Sequence, residues 1–127
     1  MSPPSLLQTS LVLHMAVETM ATYTYFFRPS ATFSRPQPVA HGVLRQYALL
    51  LLCTNIIVAM VLNRSAHDKL SAQITAAVAL YHVGPFVRAV ARIRRGDKGD
   101  LLASPWLHAV VHLLCGACMV ASSFSLW

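Results

Sequence analysis

The feature that most restricts the fold of this chain is the apolar run YALLLLCTNIIVAMVL, which ends at Leu62 and contains no charged residue. The hydrocarbon core of a bilayer is crossed by an α-helix of about 20 mostly apolar residues. The segment 43–62 meets this requirement, and so do three others: Leu6–Phe27, 72–91 and 106–126. The sequence therefore predicts an all-α fold, in which residues 1–127 form a single domain, a membrane-embedded bundle of four transmembrane helices.

Composition favours lipid over water as the solvent of this chain. Of its 127 residues, 56% are hydrophobic and only 11% are charged, whereas a soluble domain carries roughly 25% charged residues. A soluble four-helix bundle needs a polar face on every helix, and the segment 43–62 has none. The formal net charge of +6 lies mostly at the ends of the apolar segments. Membrane lipids, not nucleic acid, are therefore the expected partners of these cations.

The distribution of Lys and Arg predicts the orientation of the helices. The second connection carries only Arg64 and Lys69. The first and third connections, with the adjoining helix ends, carry the other eight cations: Arg28, Arg35, Arg45, Arg88, Arg92, Arg94, Arg95 and Lys98. Since cytoplasmic loops are enriched in Lys and Arg, these two connections should be cytoplasmic and both termini lumenal or exterior. The endoplasmic reticulum or another endomembrane is the expected location.

Three arginines share one face at the end of the third predicted helix. Arg88, Arg92 and Arg95 are spaced i, i+4 and i+7, so they can extend together to the cytoplasmic headgroups. A dedicated site for an anionic substrate or a lipid phosphate is the alternative interpretation. The spacing favours the simple headgroup interpretation.

A Gly-Pro pair interrupts the third predicted helix beside a histidine. Pro85 has no amide proton, so the carbonyl of Tyr81 loses its helical partner and the helix should kink there. Gly84 removes side-chain bulk at the same point. Together these residues are expected to open a gap beside His82, which either serves packing alone or shapes a ligand pocket.

Each predicted helix also places a polar group inside the hydrocarbon region: Glu18, Asn55, His82 and His112. Counted from the predicted cytoplasmic ends at 1.5 Å per residue, all four lie about 9 to 18 Å deep. A carboxylate at this depth must face the bundle interior, find a partner or take up a proton. Glu18 is therefore the candidate general acid or base, with His82 and His112 as its partners and Asn55 orienting the substrate. The alternative role for these groups is interhelical hydrogen bonding.

The last predicted helix carries two further patterns, neither of which predicts a cofactor. His108 and His112 are spaced i, i+4 with Cys115 one turn further on, but one helix rarely completes a metal coordination sphere, so no metal is expected. The pair Cys115-Gly-Ala-Cys118 resembles the fourth-helix CxxC of the vitamin K epoxide reductases, which are also small four-helix membrane proteins. This chain lacks the loop cysteine pair of that family, because Cys53 lies alone in the second span. Small interior cysteines that pack against a glycine are the favoured explanation.

A second resemblance concerns the last two predicted helices. The stretches LYHVGPFVRAVARIRRG and SPWLHAVVH are similar to those of small fungal four-helix integral membrane proteins encoded beside secondary-metabolite genes. The resemblance implies work on a lipophilic polyketide or terpenoid intermediate. The cofactor-free anthrone oxygenases of such pathways share the general architecture, but none of their functional residues is matched to a position here.

Three functions therefore stay open at the level of the sequence. The first is a membrane-embedded acid–base enzyme of isomerase, cyclase or cofactor-independent oxygenase type, acting on a lipophilic small molecule in secondary-metabolite biosynthesis. The second is a non-catalytic membrane scaffold or accessory subunit, with a membrane protein partner. The third is a small transporter, which would have to be a homo-oligomer because four short helices make a poor conduit.

Overall fold

The computed structural model describes residues 5–32, 37–99 and 104–125, and in these ranges the chain is helical without a strand. The helices are α1 (Leu6–Phe27), α2 (Pro38–Leu62), α3 (Lys69–Ala79), α4 (Val83–Arg94) and α5 (Pro105–Phe124). A 3-10 turn, Leu80–His82, joins α3 to α4 so that Lys69–Arg94 forms one helical run. The all-α fold class with four helices is thus confirmed, and the bounds of α1 are those predicted.

The starts of the helices follow from capping residues in the sequence. At the start of α1, the backbone N–H of Ser5 donates to the side chain of Gln8 over 2.9 Å, and the N–H of Gln8 donates to the Ser5 hydroxyl over 3.2 Å, a reciprocal capping box. Asp68 caps α3 by accepting from the N–H of Ser71 at 3.0 Å. Helix α2 starts at Pro38, five residues before the predicted span, because proline suits the first turn.

Helix α4 ends in a Schellman motif at the predicted basic loop. Gly96 adopts a φ of +73°, a left-handed conformation that glycine reaches without strain. The N–H of Gly96 donates to the carbonyl of Ile93, and the N–H of Asp97 donates to that of Arg92. Two carbonyls at the end of the helix are thereby satisfied, and the chain turns away from the helix axis at a defined residue. The predicted end of the last span, residue 126, lies outside the described residues.

Among the described residues, three helices are long and apolar enough to cross a membrane: Pro38–Leu62, Lys69–Arg94 and Pro105–Phe124. Only 22% to 33% of their most apolar stretches is buried within the chain. The outer face of α2, for example, exposes Leu50, Ile56 and Met60 by half or more. Apolar faces of this extent need an apolar solvent, which agrees with a membrane protein. Helix α1 is long enough but more polar on average.

The contacts divide the chain into two compact units, and the first consists of Leu11–Arg64. Here α1 and α2 meet through side chains. The rings of Tyr25 and Tyr47 lie 5.8 Å apart between their centroids, and the Arg45 guanidinium donates to the carbonyl of Phe26 at 3.3 Å. Aromatic and polar contacts therefore join these two helices.

The second unit consists of Met1–Ser10 and Ser65–Trp127. Its centre is α5, which packs against both α3 and α4. The buried residues at these contacts are mostly small: Ala72, Ala79, Ala89 and Ala109. Small side chains let membrane helices approach closely and gain dispersion contacts that lipid cannot supply. The single domain expected from the sequence stays a prediction.

Candidate functional site

The candidate site is built around His82, which lies in the 3-10 turn between α3 and α4. Pro85 follows three residues later and has no N–H to donate to Tyr81, so the α-helical ladder tightens into the Leu80–His82 turn. A 3-10 turn therefore interrupts the α-helix at the predicted position before Pro85, while the kink itself stays a prediction. The turn leaves His82 only 2% exposed, so this imidazole is held inside the second unit.

Helix α5 brings His112 directly to His82. The two Nδ1 atoms are 3.0 Å apart and the ring centroids 5.3 Å apart, which is a hydrogen bond between imidazoles. A nitrogen can accept this bond only if it carries no proton. One of the two rings must therefore be neutral with its proton on Nε2, and the other ring donates its Nδ1–H.

Further rings surround His112. Tyr81 meets it edge-on with centroids 6.3 Å apart, and His108, one turn earlier on α5, lies at the same centroid distance. Tyr81 also contacts His82 edge-on at 5.3 Å. Tyr81 thus contacts both imidazoles, whereas the His108 contact involves His112 alone. Tyr81 was missed as a site residue in the sequence, although it directly precedes His82.

The imidazole pair borders a cavity of about 290 Å³. The remainder of its lining is apolar and comes from the end of α3, the 3-10 turn, α4 and α5, including Leu80, Phe86 and Leu113. Leu80 is 72% exposed and Leu113 55% exposed, so the cavity opens at the outer surface of the helices. A mostly apolar cavity with a few convergent polar groups is the usual form of a small-molecule site.

Gly116 allows the close approach of the two histidine-bearing segments. A Cβ atom built on Gly116 would lie 3.2 Å from the Cβ of His82, closer than ordinary van der Waals contact. Because the Cβ of His82 is fixed to its backbone, any larger residue would push α5 away from the 3-10 turn. The signal in the sequence was a glycine inside a helical pattern, one turn after His112.

Replacing Gly116 by alanine should therefore weaken the hydrogen bond between the imidazoles. We expect Gly116→Ala to destabilise the protein by about 1–3 kcal/mol through overpacking and to lengthen the separation of the two Nδ1 atoms. Nitrogen-15 NMR of labelled histidine in lipid reports the weaker hydrogen bond, since the Nδ1 signals respond to the shared proton, and thermal unfolding reports the loss of stability.

Gly84→Ala is the matched control for this change. Apart from its chain neighbours and the nearby backbone of its own helix, no atom of the described residues lies within 4 Å of a Cβ built on Gly84. Alanine there should therefore be neutral or stabilise the helix by up to about 1 kcal/mol. Identical histidine spectra for the Gly116→Ala variant and the unsubstituted protein would contradict the role assigned to Gly116.

The other two predicted site residues lie in the first unit. Glu18 is fully buried, as is His14 one turn before it on α1. The side-chain amide of Asn55 donates to the hydroxyl of Thr19 at 3.1 Å, so it joins α2 to α1. Of the four predicted residues, His82 and His112 are brought into contact in the second unit. The common cluster of all four stays a prediction.

The cysteines of α5 do not form a disulfide. Cys115 is fully buried and Cys118 half-buried, while Cys53 on α2 is exposed at the surface of the helices. Burial of Cys115 agrees with packing near Gly116, the explanation favoured from the sequence. The expected absence of a bound metal stays a prediction.

Fold and site together define an α-helical protein with three helices able to cross a membrane and a buried imidazole pair beside an apolar cavity. No family model, curated protein or solved structure matches this chain. The resemblance to the fungal four-helix proteins therefore stays a prediction as well.

Proposed function

We propose that the protein is a four-pass membrane protein in which α1 also crosses the bilayer. Three polar side chains that lower the mean hydropathy of α1 are buried: Ser10, His14 and Glu18. Its exposed large side chains are apolar or aromatic, including Val12 and Met20. A helix with polar groups turned inward presents an apolar surface to lipid, whatever its average hydropathy.

We further propose that the protein catalyses proton transfer on a lipophilic small molecule. The observation that carries this proposal is the His82–His112 hydrogen bond of 3.0 Å at the edge of an apolar cavity. When both rings are neutral, the shared Nδ1–H forces opposite tautomers, so one ring has a basic Nε2 and the other an acidic Nε2–H. General acid–base catalysis needs such a base and acid at one place.

The pair can act as a relay in an isomerisation. The basic Nε2 removes a proton from a substrate carbon, and the electrons of the broken C–H bond move into a neighbouring double bond. The Nδ1 proton passes to the second ring, whose Nε2–H protonates the far end of the shifted π system. One C–H bond breaks and one C–H or O–H bond forms, so the step needs no oxidant, reductant or cofactor.

The size and lining of the cavity limit the substrate. A volume of about 290 Å³ lies at the lower end of the range for small-molecule pockets, about 300–1,000 Å³. The apolar lining suits a hydrocarbon body, and the imidazoles suit a single carbonyl or hydroxyl group. A polyketide or terpenoid intermediate of a secondary-metabolite pathway has this chemistry. Proton transfer on such a compound favours isomerisation or cyclisation over oxygenation as the reaction.

The two remaining predicted site residues, Glu18 and Asn55, have different roles in this proposal. Glu18 is a second acid–base candidate, because a fully buried carboxyl group in a membrane helix is expensive and most often functional. Asn55 is assigned to helix association instead, since its amide bonds to Thr19. The Oδ1 of Asn55 has no hydrogen-bond partner among the described residues, so the predicted substrate-orienting role is compatible with that bond.

A non-catalytic scaffold or accessory subunit is the second candidate function, and polar contacts between helices favour it. The hydroxyl groups of Ser10 on α1 and Ser122 on α5 lie 3.2 Å apart, both buried. Together with the Asn55–Thr19 bond, this contact is of the kind that holds membrane helices together. In a scaffold, the hydrogen bond between the imidazoles would likewise hold the helices together.

Comparing lipid-soluble metabolites in the native host with and without this chain separates the two functions. We expect a lipophilic precursor to accumulate in the deletion strain, and its isomer or cyclised product to return when the protein is restored. The matched complementation uses the His82→Gln variant, which keeps the size of a polar side chain but not the relay. An unchanged metabolite profile after deletion would favour the scaffold.

A further inference from the structure

One face of α4 carries a second groove, which differs from the histidine cavity in the charge of its lining. It has a volume of about 510 Å³, and its described lining begins with the apolar side chains of Phe86, Val87, Val90 and Ala91. Arg94 and Arg95 line its other end, in the last turn of the helix and directly after it. The groove is therefore apolar along its length and cationic at the end where the predicted membrane helix stops.

The cations at this end are only partly neutralised by the protein. Asp97 forms ion pairs with Arg92 and Arg95 at 3.4 Å each, and the Arg95 side chain is 64% exposed. Exposed ion pairs of this length contribute little. Residues 88–98 contain five cations against this one carboxylate, so the excess of positive charge persists around the groove.

The end of α4 does not cancel this charge. A helix C-terminus repels anions through its unsatisfied carbonyl groups. Here the carbonyls of Arg92 and Ile93 accept from Asp97 and Gly96, which lowers that repulsion. The two full positive charges of Arg94 and Arg95 outweigh the partial negative charge that remains at the end of the helix.

We propose that this groove binds an anionic phospholipid of the bilayer. One acyl chain lies along Val87 and Val90, and the phosphate accepts hydrogen bonds from the guanidinium groups of Arg94 and Arg95. Guanidinium matches phosphate because its planar donors pair with two oxygens at once. The apolar length of the groove selects a lipid over a soluble phosphate compound. This proposal rests on the membrane placement of α4 and is independent of the acid–base chemistry.

Native mass spectrometry of the detergent-purified protein with dioleoyl phosphatidylserine or dioleoyl phosphatidylcholine tests the site. The protein should retain phosphatidylserine in preference. Each arginine near a lipid surface contributes about fivefold to binding, so Arg94→Gln/Arg95→Gln should reduce retention about 20- to 30-fold. Val87→Asn, which keeps both arginines, should also reduce retention because it removes apolar surface from the groove.

The matched control is Arg92→Gln/Lys98→Gln, which removes the same charge from the same end of the molecule. Neither residue belongs to the described lining of the groove, so retention should change by less than about threefold, since general surface charge is partly screened. Equal losses of phosphatidylserine retention in the two double variants would indicate that diffuse surface charge, and not this groove, binds the lipid. Equal retention of the two lipids, or tight binding of soluble glycerophosphoserine, would also overturn the proposal.

Discussion

Replacing His112 by alanine should lower turnover of the proposed lipophilic precursor by about 10²- to 10⁴-fold, the usual contribution of a positioned general acid or base. Without the second imidazole, the Nδ1 of His82 loses its partner at 3.0 Å, and the proposed relay could not return a proton to the substrate. The measurement is the rate of conversion of the precursor that accumulates in the deletion strain, by the purified variant in liposomes.

His108→Ala is the matched control for this prediction. His108 lies one turn earlier on the same helix, is half-buried like His112 and is not among the described residues that line the cavity. It should keep turnover within about threefold, because its edge-on ring contact with His112 is worth much less than the hydrogen bond between the imidazoles. Equal losses for both variants would indicate that α5 is merely destabilised, and full activity of His112→Ala would remove the imidazole pair from the mechanism.

A cysteine introduced at Gly99, which follows the Schellman turn, should react with a membrane-impermeant maleimide only from the cytoplasmic side. The reason is the asymmetry of eight Lys and Arg against two among the connections, which orients helices in the membrane. We expect the cysteine at position 99 to be labelled in permeabilised cells or inverted vesicles. It should not be labelled in sealed vesicles of the opposite orientation.

Ser65→Cys, in the short connection between α2 and α3, provides the reciprocal measurement and should react only from the opposite side. The unsubstituted protein, with its cysteines on the apolar helices α2 and α5, reports the background. Labelling of both introduced cysteines from one side would overturn the four-pass arrangement. Exchange of the two patterns would place the arginines of α4 in the lumen, although the groove could still bind lipid there.

Helix positions could be predicted from this sequence because their physical signals are local. Apolar length alone located the helices. Ser5 and Asp68 are of residue types that commonly start a helix, and Gly96 is of the type that commonly ends one. Errors arose where two signals competed. Helix α2 starts at Pro38 and not at residue 43, because first-turn proline extends a helix beyond its apolar segment.

The pairing of side chains between helices could not be predicted in the same way. Depth arithmetic placed His82 and His112 at similar levels, but a helix turns its residues to all directions, and depth does not tell which ones meet. Their contact depends on Gly116, whose missing side chain matters only once α5 lies against the 3-10 turn. Asn55 is a further example, since depth did not indicate that its amide N–H donates to Thr19 on α1, and its substrate-orienting role stays a prediction.

The histidine cavity opens past Leu80 and Leu113, and this opening decides which ligand concentration would determine the occupancy of the cavity. A ligand that enters through the side of the bundle arrives from the bilayer, where it is dissolved among acyl chains. Its occupancy then depends on its mole fraction in the membrane and not on its aqueous molarity. A compound too insoluble to measure in water can saturate such a site, whereas added inert lipid dilutes it like any other solvent.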